Sequence, residues 1–208
     1  MRKTLFIVFG LILVLACSTS KSALKHGFSK SEFELIKAAD SLTPMRVYKI
    51  TNKSDSILLR SKSTYIKPDP RNATLQKFIN RLFATVRDSM SLGVGIAAPQ
   101  VGVLKNIIWV QRFDKENFPF EVYLNPKIVE YSKVKQTVRE GCLSIPNRTD
   151  TLSSRSKIIK IEYDTRNGEH KTESVEGFTS VIFQHEIDHL NGILYLDHLE
   201  KDLKDANN

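Results

Sequence analysis

Cysteine is almost absent from this sequence. Only Cys17 and Cys142 occur among the 208 residues, and they lie far apart in the chain. Each of them has a better explanation than a bond to the other, so we expect no disulfide. Cysteine pairing therefore gives no indication of a redox compartment.

Runs of basic residues interleaved with aromatic ones are missing as well. The chain carries 31 Lys and Arg against 23 Asp and Glu, a formal net charge of +8, and its hydrophobic content of 41% is that of an ordinary soluble protein. The positive excess suits an anionic surface such as lipid headgroups, and we expect no nucleic-acid partner. The length favours one domain with a sizeable core over two. We expect a monomer, although the sequence leaves the oligomeric state open.

Long hydrophobic runs are limited to one, the 12 residues from Leu5 to Ala16. Because about 20 apolar residues are needed to span a bilayer, this run is short for a transmembrane helix. Arg2 and Lys3 precede it, which is typical of a secretory signal. Its end, residues 14–17 (VLAC), resembles the lipobox of bacterial lipoproteins. That resemblance implies cleavage before Cys17, a lipid-modified thiol and a membrane anchor in the bacterial cell envelope. An uncleaved anchor and an ordinary cleaved signal are the alternatives.

The chain is accordingly divided into three parts. We expect residues 1–16 to be a signal peptide, residues 17–44 a tether and N-terminal extension, and residues 45–208 one catalytic domain. The first ten residues of the extension are rich in Ser and Lys, and residues 28–42 contain a short predicted helix. The pattern at 45–50 predicts a strand. No internal repeat occurs.

The most distinctive stretch is Gln184–Gly192, QHEIDHLNG. His185 and His189 are four residues apart, so on a helix they lie on one face and are able to hold one metal ion. Glu186 beside them is placed to handle a proton of the attacking water. Thr179 or Ser180 is predicted to cap the start of this helix, and Gly192 falls where a left-handed residue is expected at its end.

A second distinctive stretch is Gly93–Gly102, GVGIAAPQVG. Its first residues fit the GxGxxA dinucleotide fingerprint, but that motif needs a strand before it and a helix after it. Here a long amphipathic helix precedes, and Pro99 follows at once, so we reject a dinucleotide site. Residues of the helix face recur at helical spacing and end before Gly93: Leu75, Phe78, Ile79, Leu82, Phe83, Val86 and Met90.

Several short segments between these stretches predict strands. Residues 106–112, 121–124, 128–132 and 157–163 are strand-like, and Asn167-Gly168 predicts a type I′ hairpin turn. Many short strands with one metal-bearing helix indicate an α+β domain, in which antiparallel strands pack around the central HEIDH helix.

The third stretch, Glu140–Ser144, reads EGCLS and supplies a cysteine. Cys142 with the two histidines makes a set suited to a catalytic metal with an open position. The three stretches together resemble peptide deformylase, whose motifs GxGxAAxQ, EGCLS and HExDH all stand here in order. The resemblance covers roughly Met45 to Leu199.

The resemblance implies roles for residues of all three motifs. Cys142, His185 and His189 are implied as ligands of a divalent metal, Fe(II) first, with Zn(II) or Ni(II) as substitutes, and Glu186 as general acid/base. Gln100 and the Leu143 N–H are implied as donors to the oxyanion. Four further residues are implied in substrate binding: Val94, Gly95, Glu140 and Gly141. The implied reaction is hydrolysis of the N-formyl group of formylmethionyl peptides or proteins.

Two departures and two rivals accompany the resemblance. Arg148 stands out of register with the family arginine that binds the peptide backbone, which puts its role in doubt. Family enzymes act in the cytoplasm, so a lipid anchor implies an envelope enzyme acting on exported proteins or free formyl peptides. A HExxHxxGxxH metallopeptidase would need histidine where Tyr195 stands. A catalytically silent lipoprotein that binds formyl peptides is the other rival.

Overall fold

The structure, a computed structural model, describes residues 27–88 and 93–207. The predicted signal peptide, Cys17 with the first part of the tether, and Met90 lie outside the described residues. No helix within the described ranges has the length and apolar content to cross a membrane.

Five helices and seven strands make up the described chain. The helices are α1 (Lys30–Lys37), α2 (Lys53–Leu59), α3 (Ala73–Val86), α4 (Gly177–Leu190) and α5 (Tyr195–Ala206). The strands are β1 (Gly95–Ala97), β2 (Ile107–Gln111), β3 (Phe120–Tyr131), β4 (Lys135–Cys142), β5 (Ile145–Ser156), β6 (Ile158–Asp164) and β7 (His170–Glu176), and a 3-10 turn covers Ala98–Val101.

The strands form two antiparallel sheets. Five of them pair in the order β1-β2-β3-β6-β7, while β4 and β5 form a separate hairpin. Successive side chains of a strand point to opposite faces, so Ile107 packs with α3 and Ile108 packs with Phe183 of α4. The large sheet thus lies between the two longest helices. The expected α+β architecture is confirmed.

Helix α3 forms where the apolar periodicity predicts it. Asn72 caps its start by accepting hydrogen bonds from the N–H groups of Thr74 and Leu75. Leu75 and Phe78 are fully buried on its inner face. The helix ends at Val86, a few residues before the glycines of the second motif.

Helix α4 lies inside the domain along most of its length, with 11 of its 14 residues buried. It begins at Gly177 after an extended Glu176, so the predicted cap at Thr179 or Ser180 is wrong. Ser180 instead donates its hydroxyl to carbonyl oxygens, including that of Ser156 on β5. The hydroxyl therefore ties the helix to the hairpin that carries Cys142.

The predicted end of α4 is confirmed. Gly192 has a φ of 73°, and its N–H donates to His189 O while the N–H of Ile193 donates to Asp188 O. This is the Schellman arrangement, which satisfies the last carbonyls of a helix. The turn packs tightly against the backbone of Arg60. A Cβ on Gly192 would lie only 2.4 Å from the Arg60 carbonyl oxygen.

We expect Gly192→Ala to lower the free energy of unfolding by about 2–4 kcal/mol, since it combines left-handed strain with a clash against backbone. Gly177→Ala is the matched control, because Gly177 has a similar φ of 64° and a Cβ added to it would meet nothing within 4 Å. The control is expected to lose only about 1–2 kcal/mol. Urea unfolding measures both variants, and equal losses would contradict the role of the Arg60 contact.

Three local predictions are corrected. Residues 45–50 form no strand, since Tyr48 N–H bonds to Gln100 O and Ile50 N–H to Ser144 O, two separate segments. The strands predicted at 121–124 and 128–132 are one strand, β3, with register shifts inside it. The turn at Asn167-Gly168 is not type I′. That turn needs a positive φ at both residues, and only Gly168 has one. Helix α2 and the β4–β5 hairpin were not predicted.

Candidate active site

The three predicted metal ligands converge from two elements. His185 and His189 lie one turn apart on α4, with ring centroids 5.0 Å from each other. Cys142 ends β4 at a tight turn, where it pairs in register with Ile145 at the start of β5. The turn places Cys142 Sγ 3.2 Å from His189 Nε2. One ligand atom from each of the three residues lies within 4.8 Å of the others.

The chemistry of this donor set fits a divalent transition metal. Two imidazoles and a thiolate suit zinc, iron or nickel. Burial by itself raises the pKa of the Cys142 thiol. The neighbouring His189 and His185 together have a larger, opposite effect, so the pKa lies well below its ordinary value. The thiolate is the ligand form of cysteine. The residues present therefore fit a metal without rearrangement of the elements that carry them.

Glu140 orients one of these ligands. Its Oε2 lies 2.8 Å from His185 Nδ1, which leaves Nε2 of that ring for a metal. Arg155 donates two hydrogen bonds to the same carboxylate, at 2.7 and 3.0 Å. Burial raises the pKa of Glu140, but His185 and Arg155 lower it more, to about 2. Glu140, which the resemblance implies in substrate binding, thus lies at the cleft wall as a buried anionic partner of His185.

The network behind Glu140 contains functional residues that sequence reasoning missed. Arg155 is 3% exposed and also donates to Asp188 Oδ2 at 2.6 Å. Asp188, the acidic residue inside HEIDH, is bonded in turn to His198 on α5 at 2.8 Å. The only signal for this network was the aspartate of the motif. Its position one residue before His189 now has a physical reason, since it holds the back of α4 to β5 and α5.

Glu186 occupies the cleft beside the ligands. It is 4% exposed, and its Oε2 has no hydrogen-bond partner among the described residues. Burial raises the pKa of Glu186 to about 7. A buried carboxyl with a free oxygen and a pKa near neutrality is suited to accept and return a proton.

Gly95 on β1 is the neighbour that gives Glu186 its room. A Cβ on Gly95 would lie 2.5 Å from Glu186 Oε1 and 2.8 Å from Ile182 Cγ2. Both contacts are closer than real Cβ atoms make, so the carboxylate would have to move. Gly95 of the second motif therefore has to be glycine because Glu186 of the third motif lies directly against it.

We expect Gly95→Ala to lower kcat by about 10- to 100-fold, because a catalytic group displaced by about 1 Å loses its alignment. Metal content should stay close to that of the unsubstituted protein, whereas the urea unfolding midpoint should fall, because Ile182 must also give way to the added methyl group. Steady-state kinetics with a formyl peptide, the substrate that the sequence resemblance implies, measures the effect. An alanine variant with unchanged kcat would show that Glu186 does not need the observed position.

Gln100 is held in one orientation by the 3-10 turn. Its Oε1 accepts the Ala97 N–H at 2.8 Å, which turns Nε2 toward Cys142 Sγ at 3.6 Å and Ser144 Oγ at 3.3 Å. The side chain is 1% exposed. A fixed N–H donor therefore faces the space next to the metal ligands. Leu143, the residue after Cys142, lines the same space.

One cleft of about 560 Å³ connects these residues with the surface. That volume is typical of a site for a small ligand or peptide end. The four residues expected to bind substrate line the cleft: Val94, Gly95, Glu140 and Gly141. Apolar walls come from β5 and α4: Ile145, Val181 and Ile182. Cys17 is the one candidate site residue outside the described chain.

Arg148 and Tyr195, two residues considered in the sequence analysis, both interact with Asp150. Arg148 is half-exposed at the cleft mouth and pairs with Asp150 at 2.7 Å. Tyr195, at the position where a metallopeptidase would need histidine, donates its hydroxyl to Asp150 at 3.0 Å and stacks on His185. Tyr195 therefore supports a ligand ring and adds no nitrogen ligand.

Comparisons with known proteins give a single family. A family model of polypeptide deformylase matches residues 47–205. A peptide deformylase of Desulforudis audaxviator is 42% identical over 155 residues, 74% of this chain and 94% of the relative. The crystal structure of a class I type b peptide deformylase from Acinetobacter baumannii with Met-Ala-Ser bound is 31% identical, with a TM-score of 0.64 over 75% of this chain and 98% of that one. The peptide deformylase structure from Thermotoga maritima is 32% identical, with a TM-score of 0.65 over 74% and 97% of the two chains.

Proposed function

The chain belongs to the polypeptide deformylase family and is an enzyme of that class, and we propose that its own substrates are N-formylmethionyl peptides or proteins, from which it releases formate. The observation that carries this proposal is the meeting of Cys142, His185 and His189 with Glu186 in one cleft. The relative with Met-Ala-Ser bound supports it, because that peptide is what remains when a formyl group leaves such a substrate.

Cys142, His185 and His189 would hold one divalent metal ion. When bound, such an ion makes water a nucleophile near pH 7 and polarises a carbonyl group. We propose Fe(II), with Zn(II) and Ni(II) as substitutes, since thiolate and imidazole together accept all three. Glu140 fixes the ring of His185 through Nδ1, so the ligand set is oriented before the metal enters.

Glu186 moves the proton in this proposal. Its carboxylate accepts a proton from the water that attacks the formyl carbon, and it returns a proton to the amine nitrogen as the C–N bond breaks. Burial raises the pKa of this carboxyl above its ordinary value, which favours a group that both takes up and releases a proton. Gly95 keeps the carboxylate at the reacting centre.

Gln100 Nε2 and the Leu143 N–H donate to the formyl oxygen as negative charge develops on it. Because Ala97 holds Oε1, the amide does not need to reorganise during the reaction. Val94, Gly95 and Gly141, with the apolar walls from α4, bind the formylmethionyl residue and keep water from the reacting carbon.

Chelation tests the metal-dependent form of this function. We expect an iron chelator to abolish hydrolysis of formyl-Met-Ala-Ser, and anaerobic Fe(II) or Ni(II) to restore it in proportion to bound metal. Hydrolysis that continues in metal-free protein would contradict the proposal. Peptide-bond cleavage in place of formate release would favour a metallopeptidase.

We also propose that the enzyme is anchored by lipid on Cys17 in the bacterial cell envelope. The charged start, the apolar run at 5–16 and the lipobox-like VLAC support this location. The segment from Cys17 to Gly27 would reach at most roughly 35 Å, so the domain would stay near the membrane. Exported proteins and free formylmethionyl peptides would then be its substrates.

Fractionation of cells that express the protein tests the anchor. We expect the unsubstituted protein in the membrane fraction, labelled by a palmitate analogue, and Cys17→Ser unlabelled and uncleaved. Protein found in the cytosol with Met1 intact would contradict the envelope location, while leaving the deformylase activity unaffected.

A further inference from the structure

Two cations at the mouth of the cleft have no role in the function described so far. Lys49 lies in the irregular segment before α2, and Arg139 lies on β4 next to Glu140. Both residues are exposed, and both line the cleft mouth. Side chains of β4 alternate, so Glu140 is buried at the metal ligands while Arg139 and Gly141 lie on the exposed side.

The charges of both residues are unpaired. Within residues 27–88 and 93–207, no carboxylate forms an ion pair with Lys49 or Arg139. Asp55 accepts the Lys49 backbone N–H, but its carboxylate is held by both nitrogens of Arg46, at 2.7 and 2.9 Å. Arg139 donates only to the neutral hydroxyl of Thr149. The third cation of the mouth, Arg148, is by contrast neutralised by Asp150.

The acids inside the cleft do not compensate these charges. Glu140 is bound to His185 and Arg155, and Glu186 is buried at the reacting centre. The mouth of the cleft therefore presents two exposed positive charges that face whatever enters or leaves. Such a site attracts an anionic group of the ligand.

The course of a substrate follows from the position of the reacting groups. The formyl end must reach Glu186 and Cys142 at the floor, so the residues after the formylmethionine run outward past the mouth. We propose that Lys49 and Arg139 bind a carboxylate of the substrate that lies downstream of its formylmethionyl residue. The enzyme then prefers substrates with that charge, and this specificity rests on the proposed deformylase function.

Two different groups of a substrate could supply this carboxylate. It is either an acidic side chain after the formylmethionine or the free C terminus of a short peptide. A preference for the free C terminus suits an enzyme that clears short formyl peptides, whereas a preference for Asp or Glu suits selection among longer chains.

Kinetics on four peptides, with the full-length protein in detergent, tests the proposal. The reference is formyl-Met-Ala-Ser-amide, and the others are formyl-Met-Ala-Ser with a free C terminus, formyl-Met-Asp-Ser-amide and its uncharged match, formyl-Met-Asn-Ser-amide. We expect at least one carboxylate peptide to show a kcat/KM about threefold or more above its neutral match at low salt, mainly through KM. The preference should disappear near 1 M salt, where the Debye length is about 3 Å.

The Lys49→Gln, Arg139→Gln double variant should lose the preference and keep kcat on the reference peptide. Lys160→Gln is the matched control, because Lys160 is an exposed cation on β6 outside the cleft lining. No preference in the unsubstituted protein, or an equal preference in the double variant, would overturn the proposal.

A binding measurement separates this proposal from the deformylase function itself. Calorimetry gives the dissociation constants of Met-Ala-Ser and Met-Ala-Ser-amide, neither of which carries a formyl group. We expect the free carboxylate to bind about threefold or more tightly, and the difference to vanish in the double variant. If no formate is released but this difference in binding is found, only the deformylase function is contradicted. If Met-Ala-Ser binds no more tightly than its amide, and Met-Asp-Ser-amide no more tightly than Met-Asn-Ser-amide, the carboxylate site is contradicted.

Discussion

Replacing Glu186 with glutamine is expected to lower kcat for formyl-Met-Ala-Ser by at least about 100-fold. Glutamine keeps the size of the side chain and the space under Gly95 but has no carboxylate to accept a proton. The metal ligands on either side are unchanged, so metal content should equal that of the unsubstituted protein. Single-turnover kinetics with metal analysis measures both quantities.

Glu176→Gln is the matched control for this variant. Glu176 is exposed just before the same helix and caps it without a side-chain hydrogen bond. Its substitution should leave kcat unchanged. A Glu186→Gln enzyme with full metal and a kcat within about tenfold of normal would show that another group moves the proton.

Replacing Gln100 with glutamate is expected to lower kcat by about 100- to 1000-fold, the cost of one lost oxyanion donor. The glutamate can still accept the Ala97 N–H, so the 3-10 turn keeps its anchor. The donor that faces the formyl oxygen is lost, and a negative charge stands where a second one develops. The loss should fall on kcat rather than on KM, because the donor acts chiefly in the transition state.

Ser144→Ala is the control that separates the donor from its surroundings. Ser144 Oγ is a neighbour of Gln100 Nε2 at 3.3 Å, and its loss leaves the amide and its anchor in place. We expect kcat to change by less than about tenfold. A Gln100→Glu enzyme as active as the Ser144→Ala enzyme would exclude Gln100 as an oxyanion donor.

The elements that the sequence predicted well are those whose periodicity reflects packing on the core. Leu75 and Phe78 recur at helical spacing because α3 covers one face of the sheet, and β2 is a continuous apolar run because Ile107 and Ile108 enter opposite sides of it. The position of His185 and His189 on one helix face was predictable for a related reason, since a spacing of four residues means one face on any helix.

The β4–β5 hairpin escaped prediction because polar residues take several of its inward positions. Gln136 and Glu140 face inward on β4, where an ordinary strand would carry apolar side chains. They serve helix α4 and the ligand His185 instead of a hydrophobic core. The hydrophobic alternation that signals a strand is therefore missing at the place where the site needs polar groups.

Arg155 could not be assigned from the sequence because its position depends on strand register. A register shift between Gln136 and Val138 sets which residues of β5 face α4. With it, Arg155 reaches both Glu140 and Asp188, although these residues lie 15 and 33 positions away. Pairing of this kind is fixed by tertiary contacts, which no local pattern records.

The most direct test of the account is the identity and amount of the products formed from formyl-Met-Ala-Ser. The soluble fragment from Ser18 onward, loaded anaerobically with Fe(II), Ni(II) or Zn(II), should release formate and Met-Ala-Ser in equal amounts over many turnovers. A folded fragment that holds metal and binds the peptide, yet releases no formate with any of the three metals, would contradict it.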